Sequence, residues 1–154
     1  MLIDKLRVHN FRCYRGTHEI DLSTTPTANV VVVYGENMRG KTTLLQAIRW
    51  ALYGEVRDRD NNIISVLDPQ NKEQLLSQEA DSDGDFTMRV EIEFDHEGSR
   101  YVLRRAAEAS GEPSSNEEFT SSIDLKRDSH ELPEKSIDAY IQSVLSNDVS
   151  RFFL

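Results

Sequence analysis

The pattern Gly-x-x-x-x-Gly-Lys-Thr at positions 35 to 42 constrains this 154-residue chain more than any other feature. Gly35 and Gly40 allow the backbone to curl so that successive N–H groups point at one anion. Lys41 supplies a cation for the β and γ phosphates, and the hydroxyl of Thr42 suits a bound Mg²⁺. The spacing therefore predicts a phosphate-binding loop of the Walker A type, with ATP and Mg²⁺ as cofactors.

The segments on either side of the loop fit this prediction. Val30–Tyr34 is an unbroken apolar run, which predicts a strand buried on both faces of a sheet. After the loop, apolar residues recur at helical spacing: Leu44, Ala47, Ile48, Ala51 and Leu52. Gly54 is placed to end this helix. At the other end, the helix begins near Thr43 and directs the positive end of its dipole at the bound phosphates.

Alternating apolar residues predict strands in the remainder of the chain. The predicted strands cover residues 2–9, 18–22, 86–94, 101–105 and 122–127. Gly98 lies in a short turn between two of them, which predicts a β-hairpin. Residues 136–145 have helical spacing. The expected fold class is α/β, with a mixed sheet that includes an antiparallel hairpin and a helix packed against it.

One long segment and the end of the chain need separate interpretation. Residues 57–85 are polar and acidic and predict a surface excursion. It has one weak helical stretch, Ile63–Leu67 and Leu75–Leu76, which is broken at Pro69. Phe152 and Phe153 predict a core strand at the end of the chain. This apolar ending leads us to expect that the natural protein continues or that the chain is a piece of it.

Composition excludes several classes of protein. The net charge is −9, from 18 Lys and Arg against 27 Asp and Glu, which argues against a protein that coats nucleic acid. No apolar run approaches the length of about 20 residues that a membrane helix needs. The single Cys13 cannot form an internal disulfide, which fits a reducing compartment. We therefore expect a cytoplasmic protein with no membrane partner.

The motifs that would complete a hydrolytic site are absent. In Val90–Asp95 apolar and acidic residues alternate, whereas the strand that precedes a Walker B aspartate is apolar throughout. No segment resembles an L-S-G-G-Q signature. Asn71-Lys72-Glu73-Gln74 lacks the final carboxylate of a GTPase base-reading motif. The sequence shows a binding half without its hydrolytic half, so no catalytic residue is predicted.

The opening Leu6–Tyr14, which reads LRVHNFRCY, resembles the start of the SMC/RecF/SbcC group of ABC-type ATPases. Gly35-Glu36-Asn37 and Leu44–Ile48 also resemble that group. The order of elements matches across essentially all 154 residues. In this group Walker B, the signature and a histidine switch lie in a separate C-terminal lobe beyond a coiled coil. The resemblance implies that residues 1–154 form the N-terminal ATP-binding lobe of an incomplete ATPase head.

Within the group, the sequence most resembles the DndD ATPases associated with DNA phosphorothioation. This likeness rests on three segments: Gly35-Glu36-Asn37, Ala47–Gly54 and Asp148–Phe153. The loop departs from the family at Met38 and Arg39, where most relatives have Gly and a small residue. A side chain at position 38 is costly where the backbone needs positive φ, so this loop is expected to differ locally from that of most relatives.

The resemblance also assigns roles to residues around the loop. Arg12 matches an arginine near the bound phosphates, the alternative being a surface arginine beside a turn. Asn37 is expected to shape the loop and contact the γ phosphate, and Arg39 is either a second phosphate-binding cation or solvent-facing. Asn10 is expected to be a turn former. The predicted cofactor-binding residues are Arg12, Gly35, Asn37, Met38, Arg39, Gly40, Lys41, Thr42 and Thr43, with Thr42 also binding Mg²⁺.

The group implies a function for the full protein. Mg·ATP is sandwiched between two heads, and their closure acts on DNA in modification, restriction or repair. The expected partners are the C-terminal lobe of the same protein, or a second head, and DNA. The isolated lobe is expected to be nearly inactive as an ATPase. The alternatives are a P-loop kinase and an interaction module that binds ATP without hydrolysing it.

Overall fold

A six-stranded antiparallel sheet forms the body of the chain in a computed structural model, which describes residues 1–36, 40–70 and 73–145. The strand order is β2-β1-β3-β4-β5-β6, and all described pairs are antiparallel. The strands are β1 (Leu2–Phe11), β2 (Tyr14–Asp21), β3 (Thr87–His96), β4 (Ser99–Glu108), β5 (Thr120–Arg127) and β6 (His130–Glu131). The antiparallel part of the prediction is confirmed.

The β3–β4 hairpin forms where the sequence predicted it. On β3, every second side chain is buried against the helices: Met88, Val90, Ile92 and Phe94. The turn residues Glu97 and Gly98 have φ values of 49° and 77°. Positive φ at both central residues matches the right-handed twist of the strands, which is why a glycine is favoured in this turn.

Helix α1 (Lys41–Tyr53) packs on the sheet with the predicted apolar face. It ends at Gly54, whose φ is 75° and whose N–H donates to the carbonyl of Trp50 at 2.8 Å. Helix α3 (Glu134–Val144) also packs on the sheet and buries Ile137 and Ile141. A short helix α2 (Gln78–Ser82) and a 3₁₀ turn (Asn116–Glu118) complete the described elements. No described helix has the length and apolar character needed to cross a bilayer.

The polar segment 57–85 contributes to the core more than the predicted surface excursion implied. Among its apolar residues, Ile63 is exposed, but Ile64, Leu67, Leu75 and Leu76 are buried. The predicted helical stretch at Ile63–Leu67 and Leu75–Leu76 is wrong. Its two parts pair with each other, because the N–H groups of Leu75 and Leu76 donate to the carbonyls of Ser65 and Val66, both at 2.9 Å. β-branched residues favour such extended pairing.

The prediction of a buried strand at Val30–Tyr34 is also wrong for this chain. These residues belong to none of the described strands, and Val32 and Tyr34 are 79% and 95% exposed. A strand needs a neighbour for its N–H and C=O groups. The nearest interior strand, β1, already pairs with β2 on one edge and with β3 on the other. The parallel pairing of the expected mixed sheet is therefore not formed. The strand predicted at Phe152 and Phe153 lies outside the described residues.

Candidate functional site

The start of helix α1 is built around Gly40. Its φ is 90°, and a Cβ added there would lie 2.8 Å from both the Sγ of Cys13 and the hydroxyl oxygen of Tyr14. Tyr14 donates a hydrogen bond to the carbonyl of Gly40 at 3.3 Å. Burial, with a smaller effect of the neighbouring Cys13, raises the pKa of Tyr14, so the phenol keeps its proton at neutral pH. Only glycine fits this contact between the helix and the β1–β2 turn.

Lys41 folds back over the start of the phosphate loop. Its Nζ donates to the carbonyl oxygens of Gly35 and Glu36, each at 2.6 Å. Both acceptors are neutral, and no carboxylate within the described ranges accepts a hydrogen bond from this ammonium group. The predicted residues Gly35 and Lys41 are therefore in direct contact. Asn37, Met38 and Arg39 lie outside the described residues, and their predicted roles stay predictions.

The two threonines after Lys41 have different environments. Thr42 is exposed, whereas Thr43 is buried and its Oγ1 accepts a hydrogen bond from the Sγ of Cys13 at 3.7 Å. The hydroxyl of Thr42 is thus accessible to a cation. No cluster of three or more His, Cys, Asp or Glu within the described ranges could hold a metal ion. Mg²⁺ commonly binds through one or two protein oxygens plus phosphates, which does not require such a cluster.

A cavity of about 510 Å³, which we call the loop cavity, opens beside these residues. Its volume lies within the range of small-molecule sites. It is lined by Arg12, Cys13, Gly40, Lys41, Thr42, Thr43, Gln74, Leu76, Ser77, Gln78 and Glu79. Predicted cofactor-binding residues from two separate parts of the chain, the β1–β2 turn and the start of α1, therefore border one cavity.

Arg12 reaches the loop cavity from the turn between β1 and β2. Its φ is 52°, and its backbone N–H donates to the carbonyl of Leu75 at 2.7 Å. The Nη2 atom lies 3.9 Å from a carboxylate oxygen of Glu73, a weak contact with a half-exposed partner. The Nη1 atom is buried without a hydrogen-bond partner in the described part of the chain. A buried donor without an acceptor is costly, so this atom is suited to an incoming anion.

The wall opposite α1 was not predicted from the sequence. It comprises Gln74, Leu76, Ser77, Gln78 and Glu79, from the segment expected to be a surface excursion. Gln74 is buried, with its Oε1 accepting from the N–H of Asp68 and its Nε2 donating to Asp81. The only local signal was the apolar pair Leu75–Leu76 within a polar stretch, which indicates burial but not its location.

These features define a class: an α/β protein in which a glycine-rich loop leads into a helix whose N-terminus borders a cation-lined cavity. The chain matches the AAA domain family over residues 5–152 and belongs to that family. Membership of this family implies nucleotide binding. The predicted fold class, the N-terminal lobe of an ABC-type P-loop NTPase head, is confirmed.

Several curated proteins are similar to this chain. It is 29% identical over 156 residues to the DNA double-strand break repair Rad50 ATPase of Thermoplasma acidophilum, covering 95% of this chain and 15% of that protein. It is 29% identical over 104 residues to Arcadin-4 of Pyrobaculum calidifontis, covering 66% of this chain and 12% of that protein. The chain thus spans a small part of these relatives.

Among solved structures, the chain resembles the SMC head domain from Thermotoga maritima, with a TM-score of 0.49 and 17% identity over 91% of this chain and 42% of that one. The family match and the Rad50 relatives support an SMC/Rad50-like ABC ATPase lobe. They do not support the DndD subfamily in particular.

Proposed function

We propose that this chain is the Mg·ATP-binding half of a Rad50-like ATPase head that acts on DNA. The observation that carries the proposal is that Lys41, Thr42 and Arg12 border one cavity at the N-terminus of α1. A helix N-terminus and two cations favour a polyphosphate there. The similarity to a Rad50 ATPase across 95% of the chain supports the same assignment.

The residues in place fit the triphosphate and its metal. Arg12 has a buried Nη1 atom without an acceptor in the described ranges, and the hydrogen bonds of Lys41 to described residues go to the neutral carbonyls of Gly35 and Glu36. Both can offset phosphate charge, and the exposed hydroxyl of Thr42 can bind Mg²⁺. When bound, Mg·ATP supplies the phosphoryl group for transfer to water. The base and ribose are assigned to the wall formed by Gln74, Leu76 and Ser77.

A second, apolar cavity supports a C-terminal lobe as the partner. It has a volume of about 480 Å³ and lies between β1, β2, α1 and the extended residues Val31 and Val33. Val31 and Val33 border it, whereas Val30, Val32 and Tyr34 are more exposed. Exposed apolar surface of this kind marks an interaction site. We assign this surface to the C-terminal lobe of the same protein, which would supply Walker B and the signature.

Dimerisation of two such heads around ATP and a role in DNA repair complete the proposal. Repair is favoured over modification or restriction because the similar proteins of Thermoplasma acidophilum and Halobacterium salinarum are both named as DNA double-strand break repair Rad50 ATPases. A role in DNA phosphorothioation would rest on the sequence likeness of Gly35-Glu36-Asn37, Ala47–Gly54 and Asp148–Phe153, without support from the named relatives. A cytoplasmic location belongs to the same proposal.

The test measures ATP hydrolysis by this chain with and without a C-terminal lobe. The isolated chain should hydrolyse ATP very slowly, because the groups that position water and stabilise charge are expected in the C-terminal lobe. Adding that lobe should raise turnover by about 100-fold or more, and Lys41→Ala should abolish the gain. Binding without turnover in the combined protein would favour the interaction module. Transfer of phosphate to an added acceptor instead of water would favour a kinase.

A further inference from the structure

Asn10 is a buried polar residue near the end of β1 that does not border the loop cavity. It is 1% exposed and has a φ of 50°, which asparagine tolerates better than most residues. The register between β1 and β2 shifts between His9 and Phe11, so the irregularity falls at Asn10. This bulge directs the chain into the turn that carries Arg12.

The side chain of Asn10 joins the starts of two other strands. Its Oδ1 accepts from the N–H of Gly16 at 2.7 Å, which closes the β1–β2 turn. Its Nδ2 donates to Oδ2 of Asp85 at 2.8 Å and to the carbonyl of Thr87 at 3.0 Å, at the start of β3. Both ends of the amide are therefore used, and neither contact could be made by an aliphatic side chain.

The backbone around Asn10 holds the opposite wall of the loop cavity. Its carbonyl accepts from the N–H of Ser77 at 2.8 Å, and Phe11 forms a β-bridge with Leu76. Arg12 adds its N–H bond to Leu75. One short stretch of β1 is thus paired with the segment that faces Lys41 and Thr42 across the cavity.

We propose that Asn10 is a positioning residue of the nucleotide site, which holds Arg12 and the Leu75–Ser77 wall in place through its hydrogen bonds to Gly16, Asp85 and Thr87. This inference rests on the proposed function. It goes beyond the role of a turn former, because a turn former needs only the positive φ. A positioning residue also needs the amide.

The two roles are separated by Asn10→Gly, which keeps positive φ accessible and removes the amide. The measurement is the affinity for Mg·ATP of four forms of the chain: wild type, Asn10→Gly, Arg12→Ala and the double variant. We expect each single variant to bind about tenfold more weakly, the loss of about one charge-assisted contact. The double variant should be only about twofold weaker than Arg12→Ala, since Asn10 acts through Arg12.

A second variant gives a readout that altered folding alone would not produce. In Asn10→Asp the new carboxylate cannot donate to Asp85 or Thr87, so binding at neutral pH should weaken. When the carboxyl is protonated at lower pH, it can donate again, and the affinity relative to wild type should recover. The titratable neighbours of this position are His9 and Asp85. Because both also titrate in the wild type, dividing the affinity of the variant by that of the wild type at each pH cancels their contribution. Thermal unfolding should confirm that all variants are folded.

The matched control is Asn61→Gly, which removes an asparagine with a φ of 67° from a turn that does not border the loop cavity. Its affinity should equal that of wild type. Two results would overturn the inference. One is that Asn10→Gly binds Mg·ATP as tightly as wild type, and the other is that the double variant loses affinity by the full product of the two single losses. The proposed function would still stand if Lys41→Ala abolished binding. Absence of ATP binding by the wild type would overturn both.

Discussion

The backbone N–H of Arg12 donates to the carbonyl of Leu75 at 2.7 Å, joining the β1–β2 turn to the neighbouring segment that also lines the loop cavity. The bond places the arginine at the end of a wall that contains Gln74 and Ser77. The geometry of the cavity therefore depends on a contact between residues far apart in the sequence. Mutations at this contact and at the start of α1 should separate binding from stability.

Arg12→Ala should weaken the binding of Mg·ATP by about tenfold while changing the binding of adenosine little, since the guanidinium is assigned to the phosphates. Isothermal calorimetry with both ligands measures the difference. Arg15→Ala is the control, because Arg15 pairs with Asp83 and does not border the cavity. Equal losses for ATP and adenosine would contradict the assignment.

Gly40→Ala should destabilise the chain by at least about 2 kcal/mol, because the cost of a positive φ adds to the cost of close contacts with Cys13 and Tyr14. Gly84→Ala, at a φ of 78° in open space, should cost about 1 kcal/mol. Gly111→Ala has neither constraint and should cost little. Denaturant unfolding gives all three values, and equal losses at Gly40 and Gly84 would show that the contacts contribute nothing.

Arg105→Met should lower the free energy of unfolding by about 1–2 kcal/mol. Its Nε donates to the carbonyl of Ala51 at 3.1 Å and so caps the C-terminal end of α1, which has no basic residue in its own last turn. The neighbouring Arg104→Met is the control, since Arg104 is exposed and alternates to the other face of β4. A comparable loss in both variants would argue against capping.

The stability of the chain should depend on pH through Asp85. Burial raises the pKa of this carboxyl, but hydrogen bonds from Asn10 and Thr87 outweigh it and hold the pKa below its ordinary value. The stability that the ionised carboxylate of Asp85 contributes is therefore complete above its pKa in the unfolded chain, about 3.9. This contribution is lost as the pH falls through the lower pKa that Asp85 has in the folded chain. The stability advantage of wild type over Asp85→Asn should shrink between about pH 5 and pH 2. An advantage that stays constant or grows would contradict this assignment.

Local patterns predicted the elements whose geometry is set by nearby residues. Helix α1 and its end at Gly54 follow from apolar spacing and one glycine, and the β3–β4 hairpin follows from alternation around Gly98. The phosphate loop motif likewise predicted that Lys41 and Thr42 would lie at a helix start. In each case the sequence signal and the structural constraint lie within a few residues of each other.

Long-range pairing could not be predicted in the same way. Val30–Tyr34 has the composition of a buried strand, but β1 has no free edge for it, and no neighbouring strand pairs with it in the described chain. The wall containing Gln74 and Ser77 depends on pairing with Asn10–Arg12, and nothing in the polar sequence of that wall specifies this partner.

The most direct test of the central claim is calorimetric titration of the chain with Mg·ATP, for wild type, Lys41→Ala and the control Lys135→Ala. Lys135 is an exposed residue of α3 that does not border the loop cavity. We predict that wild type and Lys135→Ala bind equally and that Lys41→Ala binds at least about 30-fold more weakly, a loss of about 2 kcal/mol. Absence of binding by the wild type, or equal binding by Lys41→Ala, would contradict the assignment of this chain as an ATP-binding lobe.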